Sequence, residues 1–329
     1  MTPIHVAGTG SYVPEKILTN FDLEKSLDTS DEWIVQRTGI RERRVAAPDQ
    51  AASDLALPAC RRAMEAAGVS DRDLDYIIMA TVTPDTCCPS GANWLQAKLD
   101  APQAISFDVT AACSGFCFVL DVAMRYMQAG AGKTMLVVAS EVMTRVQDWT
   151  DRANCILWGD GAGAVVLKAE EGAPQIIETY IGTDGANGQN LLMPGGGSKT
   201  TPISYESVDK KMHTLRLIEA AASVRVAVKH FALSVETVLD RRGLKPKDVD
   251  LYIPHQANIR MLQSLAKRLD VDFDEKFFIT IEKYGNISSA SSAIALDEAV
   301  RSGRIKPGDL VCVTVFGGGL TWGATLIQY

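Results

Sequence analysis

Four histidines are all the sequence contains, and no two cysteines stand in a C-x-x-C arrangement, so the ligand pattern of a zinc site is missing and no metal is expected. Basic residues are short of acidic ones, 33 Lys and Arg against 40 Asp and Glu, a net charge of −7. A general nucleic-acid binder runs basic, so that class is excluded, though a local basic patch for an anionic partner is not. No apolar run reaches the ~20 residues of a membrane span. The opening, Met1 to Gly10, has neither a charged n-region nor an apolar h-region, so no signal peptide is expected. Cysteines number seven, an odd count that argues against a disulfide framework. A protein of the reducing cytoplasm is expected. What is present is ordinary globular composition: 47% hydrophobic and 22% charged residues over 329, enough for about two domains' worth of core.

An internal echo organises the chain. Gly68–Ile78 is matched by Gly243–Ile253, 175 residues on. Leu120-Asp121 and Gly132–Val138 are matched by Leu296-Asp297 and Gly308–Thr314, 176 residues on. Matching order at nearly constant spacing reads as a duplication. Each half runs helix (Leu55–Ala67; Val224–Arg242), strand (Tyr76–Thr81; Leu251–Pro254), long loop, helix (Ser114–Ala129; Ser289–Ser302), strand (Met135–Ser140; Leu310–Phe316). Strands this continuously apolar are buried on both faces, which predicts a layered α/β protein. The halves are placed at 1–172 and 173–329, with no linker between them. Thr183–Thr214, containing Pro194-Gly195-Gly196-Gly197-Ser198, is expected as a surface excursion.

Thr110–Phe116 sets Cys113 among small residues between an apolar run and an apolar helix. At a helix N-terminus, free amide groups and the macrodipole favour thiolate, which makes Cys113 a candidate nucleophile for acyl transfer. Packing as a small hydrophobe is the other reading, and the better one for Cys117. His255, in Pro254-His255-Gln256-Ala257-Asn258, leaves a strand where active-site loops leave α/β sheets, or it is structural. Asn286, in Lys283–Ser291, opens a helix and caps it or acts beside it. Phe316-Gly317-Gly318-Gly319 is a tight turn that also lets backbone amides approach a reacting oxygen. Each is weak alone; together, at strand exits of a duplicated chain, they are not.

These segments resemble the β-ketoacyl-acyl-carrier-protein synthase III family, the initiating condensing enzymes of the thiolase superfamily. Gly8–Pro14, Trp33–Ile40, Asp151-Arg152, Trp158–Ala164 and the end at Trp322-Gly323 extend the resemblance over the whole chain. It implies a five-layered αβαβα thiolase fold, a homodimer and a catalytic triad falling on Cys113, His255 and Asn286. Thiolases carry a second cysteine where this chain has Val315, and elongating condensing enzymes carry a second histidine where it has Asn286. The implied reaction is decarboxylative: an acyl-CoA acylates Cys113, then malonyl-acyl-carrier protein condenses with it, initiating fatty-acid synthesis. No cofactor is implied. The amides of Cys113 and Gly318 would form the oxyanion hole. Trp33 and Arg152 would sandwich the adenine of CoA, and Arg37 would approach its phosphates. Arg225, Arg260, Lys267 and Arg268 would dock the acidic carrier protein; for Lys267 and Arg268 a solvated helix face is an equal reading.

Two departures from the family stand out. Cys88 takes the place of a bulky phenylalanine that plugs the partner's acyl pocket, which implies room for a primer longer or more branched than acetyl. Leu217–Val224 puts Ile218, Ala220, Ala221 and Val224 where the family lines its pantetheine channel with a polar residue and an aromatic. This leaves open a related enzyme priming a dedicated or secondary-metabolite pathway. An inactive acyl binder is the third class, and it has no physical need for a complete triad.

Overall fold

The structure, a computed structural model, describes residues 2–200, 203–218 and 220–329, and of 200 and 220–224 the backbone alone. Nine strands carry the apolar runs: β1 (Ile4–Tyr12), β2 (Tyr76–Ala80), β3 (Ile105–Val109), β4 (Thr134–Val142), β5 (Asp160–Lys168), β6 (Gln175–Thr183), β7 (Leu251–Pro254), β8 (Leu310–Gly317) and β9 (Thr321–Gln328). They pair in the order β7, β8, β9, β6, β1, β5, β4, β2, β3. The β4–β2, β2–β3 and β7–β8 pairs are parallel; the others are antiparallel. The seam between β1 and β6 is only two residue pairs long, Ile4–Ile176 and His5–Gln175.

On either side of that seam the order repeats. β1-β5-β4-β2-β3 is matched by β6-β9-β8-β7, and a parallel bridge from Tyr252 to Phe277 stands where β3 stands in the first set. β2 and β7 begin 175 residues apart, β4 and β8 176 apart, the same spacings as the sequence echoes.

Seven helices complete the layers: α1 (Asp31–Thr38), α2 (Ala52–Ala67), α3 (Gly91–Leu99), α4 (Gly115–Gln128), α5 (Ala220–Asp240), α6 (Ile259–Leu269) and α7 (Ala290–Arg301). Residues alternate faces along a strand, so each sheet presents two apolar surfaces. Ile77 and Met79 of β2 face Leu55 and Ala59 of α2. Ile78 and Ala80 face inward, in one cluster with α4, α7 and the inner residues Val313 and Val315 of β8. Tyr252, Cys312 and Leu326 face out again, onto Phe231, Val235 and Leu265 of α5 and α6. The result is helix, sheet, helix, sheet, helix, with α4 and α7 fully sandwiched. Each large side chain so buried stabilises the stack by about 1.5–3 kcal/mol.

Helix α2 begins three residues before the expected Leu55, because Asp54 accepts a hydrogen bond from Ala51 N (2.9 Å) and supplies the start that apolar periodicity did not. The expected excursion over Thr183–Thr214 does run at the surface, where Thr214 is the one buried residue among those described. Leu191-Leu192 pairs with Arg216-Leu217, and Leu215 N donates to Val146 O (2.8 Å), so part of the segment folds back on the body. Among the described residues no helix is long and apolar enough to cross a membrane.

Candidate active site

Cys113, His255 and Asn286 come from three loops and line one cavity of about 180 Å3. Leu157, Trp158, Leu191, Leu217 and Phe316 give it apolar walls. Cys113 stands between β3 and α4. The turn reaches it through Ala112, whose φ of 46° is left-handed, a conformation costing an L-residue about 1–2 kcal/mol. No side chain caps α4, and none caps α7, so the amides of both helix starts remain uncommitted to caps.

His255 extends β7: its N–H donates to Thr314 O (2.8 Å) on β8. The next residue, Gln256, is fully buried and pins the loop from both ends. Its amide donates to Pro254 O (3.0 Å) and Phe278 O (3.1 Å), and its oxygen accepts from Thr280 N and Ile281 N. Asn286 is held by a remote strand-like segment. Asn286 N donates to Leu157 O (2.8 Å), and Gly159 N donates to Asn286 O (3.0 Å). Ser288 N donates to Asn286 Oδ1 (2.8 Å), so the Nδ2 end is the one left for the cavity.

Burial governs the electrostatics. It pushes the Cys113 thiol up to about 12 and draws His255 down to about 3, so both are neutral at rest. This corrects the expectation of a resting thiolate: a helix terminus offers at most about 2 kcal/mol, and in a 5%-exposed site desolvation exceeds it. Cys117 is likewise pushed up to about 12 and lies in the core cluster, as expected.

The glycine run closes the site. A Cβ on Gly317 would lie 2.8 Å from Cys113 N and 2.9 Å from Ser114 N, so only glycine lets β8 end this close to the nucleophile turn. Gly318 lines the cavity beside it. Gly317→Ala is therefore expected to displace Cys113 and slow its acylation about 10- to 100-fold, read by mass spectrometry over time.

Other expected site residues lie farther out. Trp33, Arg37 and Arg152 do not line the cavity but cluster at its rim, where Asn258 Nδ2 donates to Arg37 O (2.9 Å). Arg37 and Arg152 both lie on the Trp33 ring, 4.2 and 4.9 Å from its centroid, and Arg152 is also tied to Asp28 through its backbone oxygen and carboxylate. The Trp33–Arg152 gap is too narrow for a purine in this state, because stacked rings need ~3.4 Å on each side. Cys88 is exposed and absent from the cavity of its own chain. Arg225, Arg260, Lys267 and Arg268 are exposed on α5 and α6. Leu217 lines the cavity and Ile218 is exposed; the side chains of Ala220, Ala221 and Val224 lie outside the described residues. Sequence reasoning missed Gln256 and the Leu157–Gly159 segment as supports. Gly159, whose Cβ would fall 2.3 Å from Tyr284 O, was the available signal.

The chain is similar to known proteins over nearly its whole length. The family model described as 3-oxoacyl-[acyl-carrier-protein] synthase III matches residues 107–185, and its C-terminal counterpart matches 239–329. The chain is 49% identical over 324 residues to the beta-ketoacyl-[acyl-carrier-protein] synthase III of Caldanaerobacter subterraneus subsp. tengcongensis, covering 98% of this chain and 97% of that protein. The crystal structure of 3-oxoacyl-[acyl-carrier-protein] synthase III from Aquifex aeolicus superposes with a TM-score of 0.91 at 42% identity, over 99% of this chain and 100% of that one. The priming β-ketosynthase of the R1128 polyketide pathway superposes with 0.89 at 35% identity, over 99% and 96%.

Proposed function

The chain belongs to the 3-oxoacyl-[acyl-carrier-protein] synthase III family, and from that premise we propose the reaction its cavity performs. An acyl-CoA acylates Cys113 and releases CoA; malonyl-acyl-carrier protein then condenses with the acyl group, giving 3-oxoacyl-acyl-carrier protein and CO2, the initiating step of fatty-acid synthesis. The observation that carries this reading is the convergence of Cys113, His255 and Asn286 on one apolar cavity.

The Cys113 sulfur attacks the thioester carbon, and the amides of Cys113 and Gly318 receive the oxyanion. In the second half-reaction loss of CO2 leaves a thioester enolate, whose oxygen accepts from His255 and from Asn286 Nδ2. A neutral histidine and an amide donate hydrogen bonds without attracting the malonyl carboxylate as a cation would, which suits decarboxylation. The enolate carbon attacks acyl-Cys113. Bond making and breaking balance without a cofactor.

Trp33 and Arg152 take the adenine after Arg152 swings off the ring, and Arg37 takes CoA phosphates. Arg225, Arg260, Lys267 and Arg268 dock the carrier protein. Among the described residues no acidic partner lies within ion-pair distance of these four, and Ala227 of α5 and Met261 of α6 place their helices at the cavity wall. The protein acts in the cytoplasm as a homodimer, each chain being two copies of one unit, 1–172 and 173–329. Identity of 49% to a synthase III against 35% to the polyketide priming synthase does not favour the dedicated-pathway alternative.

Across the dimer the small Cys88 leaves the partner's acyl pocket roomy. Intact mass after incubation with acyl-CoAs from C2 to C12, straight and branched, tests both points. Adducts on Cys113 are expected, with C4–C8 or branched chains loading at least as well as acetyl. A strong acetyl preference would overturn the Cys88 assignment, and no adduct from any acyl-CoA would overturn the reaction.

A further inference from the structure

Acylation leaves the Cys113 proton in need of an acceptor, and a buried group near the nucleophile has no part in the reaction so far. Glu141, at the end of β4, is fully buried and has no cationic partner among the described residues. Its Oε2 accepts from Thr81 Oγ1 (3.2 Å), Val82 N (3.0 Å) and Thr83 Oγ1 (2.8 Å), and its Oε1 from Ser289 Oγ (2.7 Å). Three donors converge on Oε2, one of them an amide that can only donate, while Oε1 meets a single hydroxyl and has a lone pair free. Beside it stands Ser288, buried, with a left-handed φ of 49°. The Ser288 hydroxyl makes no hydrogen bond of ordinary geometry, yet it is the side chain adjacent to both the Cys113 thiol and the Glu141 carboxylate. A strained backbone costs about 1–2 kcal/mol and an unpaired buried hydroxyl about 1–3 kcal/mol, and one residue carries both. Such outliers point to use. Burial also raises Glu141, toward the proton affinity an acceptor needs, while His255, drawn down to about 3, is a poor base.

We propose that Ser288 and Glu141 form a proton relay that empties the Cys113 thiol during acylation and refills it when condensation expels the thiolate. As Cys113 Sγ bonds to the acyl carbon, its proton passes to Ser288 Oγ and the Ser288 proton passes to Glu141 Oε1. CoA leaves as a thiolate and takes its proton from solvent. Glu141 stays protonated for the life of the acyl-enzyme. When the enolate carbon displaces Cys113, the thiolate recovers that proton through Ser288, and Glu141 is an anion again. Overall one solvent proton is consumed for each CoA released as thiol.

The relay rests on the condensing-enzyme reading, and one experiment separates the two. Wild-type protein is mixed with acyl-CoA near pH 7 in weak buffer with a pH indicator, while acyl-Cys113 is counted by intact mass. Close to one proton taken up per acyl-enzyme is expected, because the CoA thiol, near 8.5, is mostly protonated at that pH. Acylation without uptake overturns the relay; no acylation overturns the reaction itself. Glu141→Gln is expected to slow acylation about 100-fold and Ser288→Ala about 10-fold, both abolishing uptake. Acylation of Glu141→Gln at the wild-type rate would overturn the relay, and should that variant fail to fold, full proton uptake by Ser288→Ala would overturn it as well.

Discussion

Cys113→Ala protein is expected to carry no acyl group after incubation with any acyl-CoA, and to lose condensation by about 10^5-fold or more, the scale on which removal of a covalent nucleophile acts. No other thiol can stand in. Cys117 and Cys312 are buried in the core, and burial pushes Cys117 up to about 12 and Cys312 well above its usual range. Cys60, on the buried face of α2, and Cys155, which burial pushes up to about 11, lie outside the cavity, as do Cys87 and Cys88. Decarboxylation of a malonyl thioester need not vanish with acylation, because His255 and Asn286 are untouched. The two assays, adduct mass and CO2 release, therefore diverge in this variant. Equal collapse of both would mean that Cys113 supports the cavity rather than reacting in it.

Asn286→Ala is expected to do the reverse. Acylation of Cys113 should persist within a few-fold, while condensation falls about 100- to 1000-fold, the cost of one preorganised donor to a developing oxyanion. The backbone of Asn286 is fixed by Leu157 and Gly159 whatever side chain it bears, so truncation removes the amide without moving the chain. Asn286→Asp should be worse than alanine: it keeps an acceptor for Ser288 N but places a carboxylate against the enolate. His255 sets the accompanying pH behaviour. With its folded value near 3, below the usual 6.5, it stays neutral on moving from pH 8 to pH 5, so it should impose no acid limb on CO2 release in that range. An acid limb near 6.5 that disappears with the histidine would contradict this.

The elements that carry chemistry were legible where local pattern decides them. Tyr76, Leu251 and Leu310 begin strands where apolar runs begin, and the spacing of the echoes equals the spacing of the strands. Cys113, His255 and Asn286 could be singled out because small residues and strand exits mark positions a reacting group can occupy. Their supports could not. Asn286 is held by hydrogen bonds to residues more than 120 positions earlier, and nothing near either segment announces the pairing. The helix-terminus argument at Cys113 used local chemistry correctly but could not include how deeply two stacked sheets would bury the sulfur. Arg152 on the Trp33 ring shows the same limit, since two residues far apart in sequence occupy in the free protein the space expected for a ligand. Glu141 fell one residue past the expected strand and Ser288 in an expected turn before a helix, with no pattern to separate them from core polar residues.

The left-handed residues Ala112 and Ser288 precede the two sandwiched helices and lie 176 positions apart, the spacing of the duplication itself. One bend therefore occurs twice, at equivalent places in the repeated order of strands and helices. A tandem repeat that meets at its two equivalent turns needs no new backbone to build a reaction centre. It needs only that one descendant of the turn acquire a thiol next to it, while the other keeps a hydroxyl. The same left-handed bend thus stands before both sandwiched helices, with the thiol beside one copy and the hydroxyl on the other.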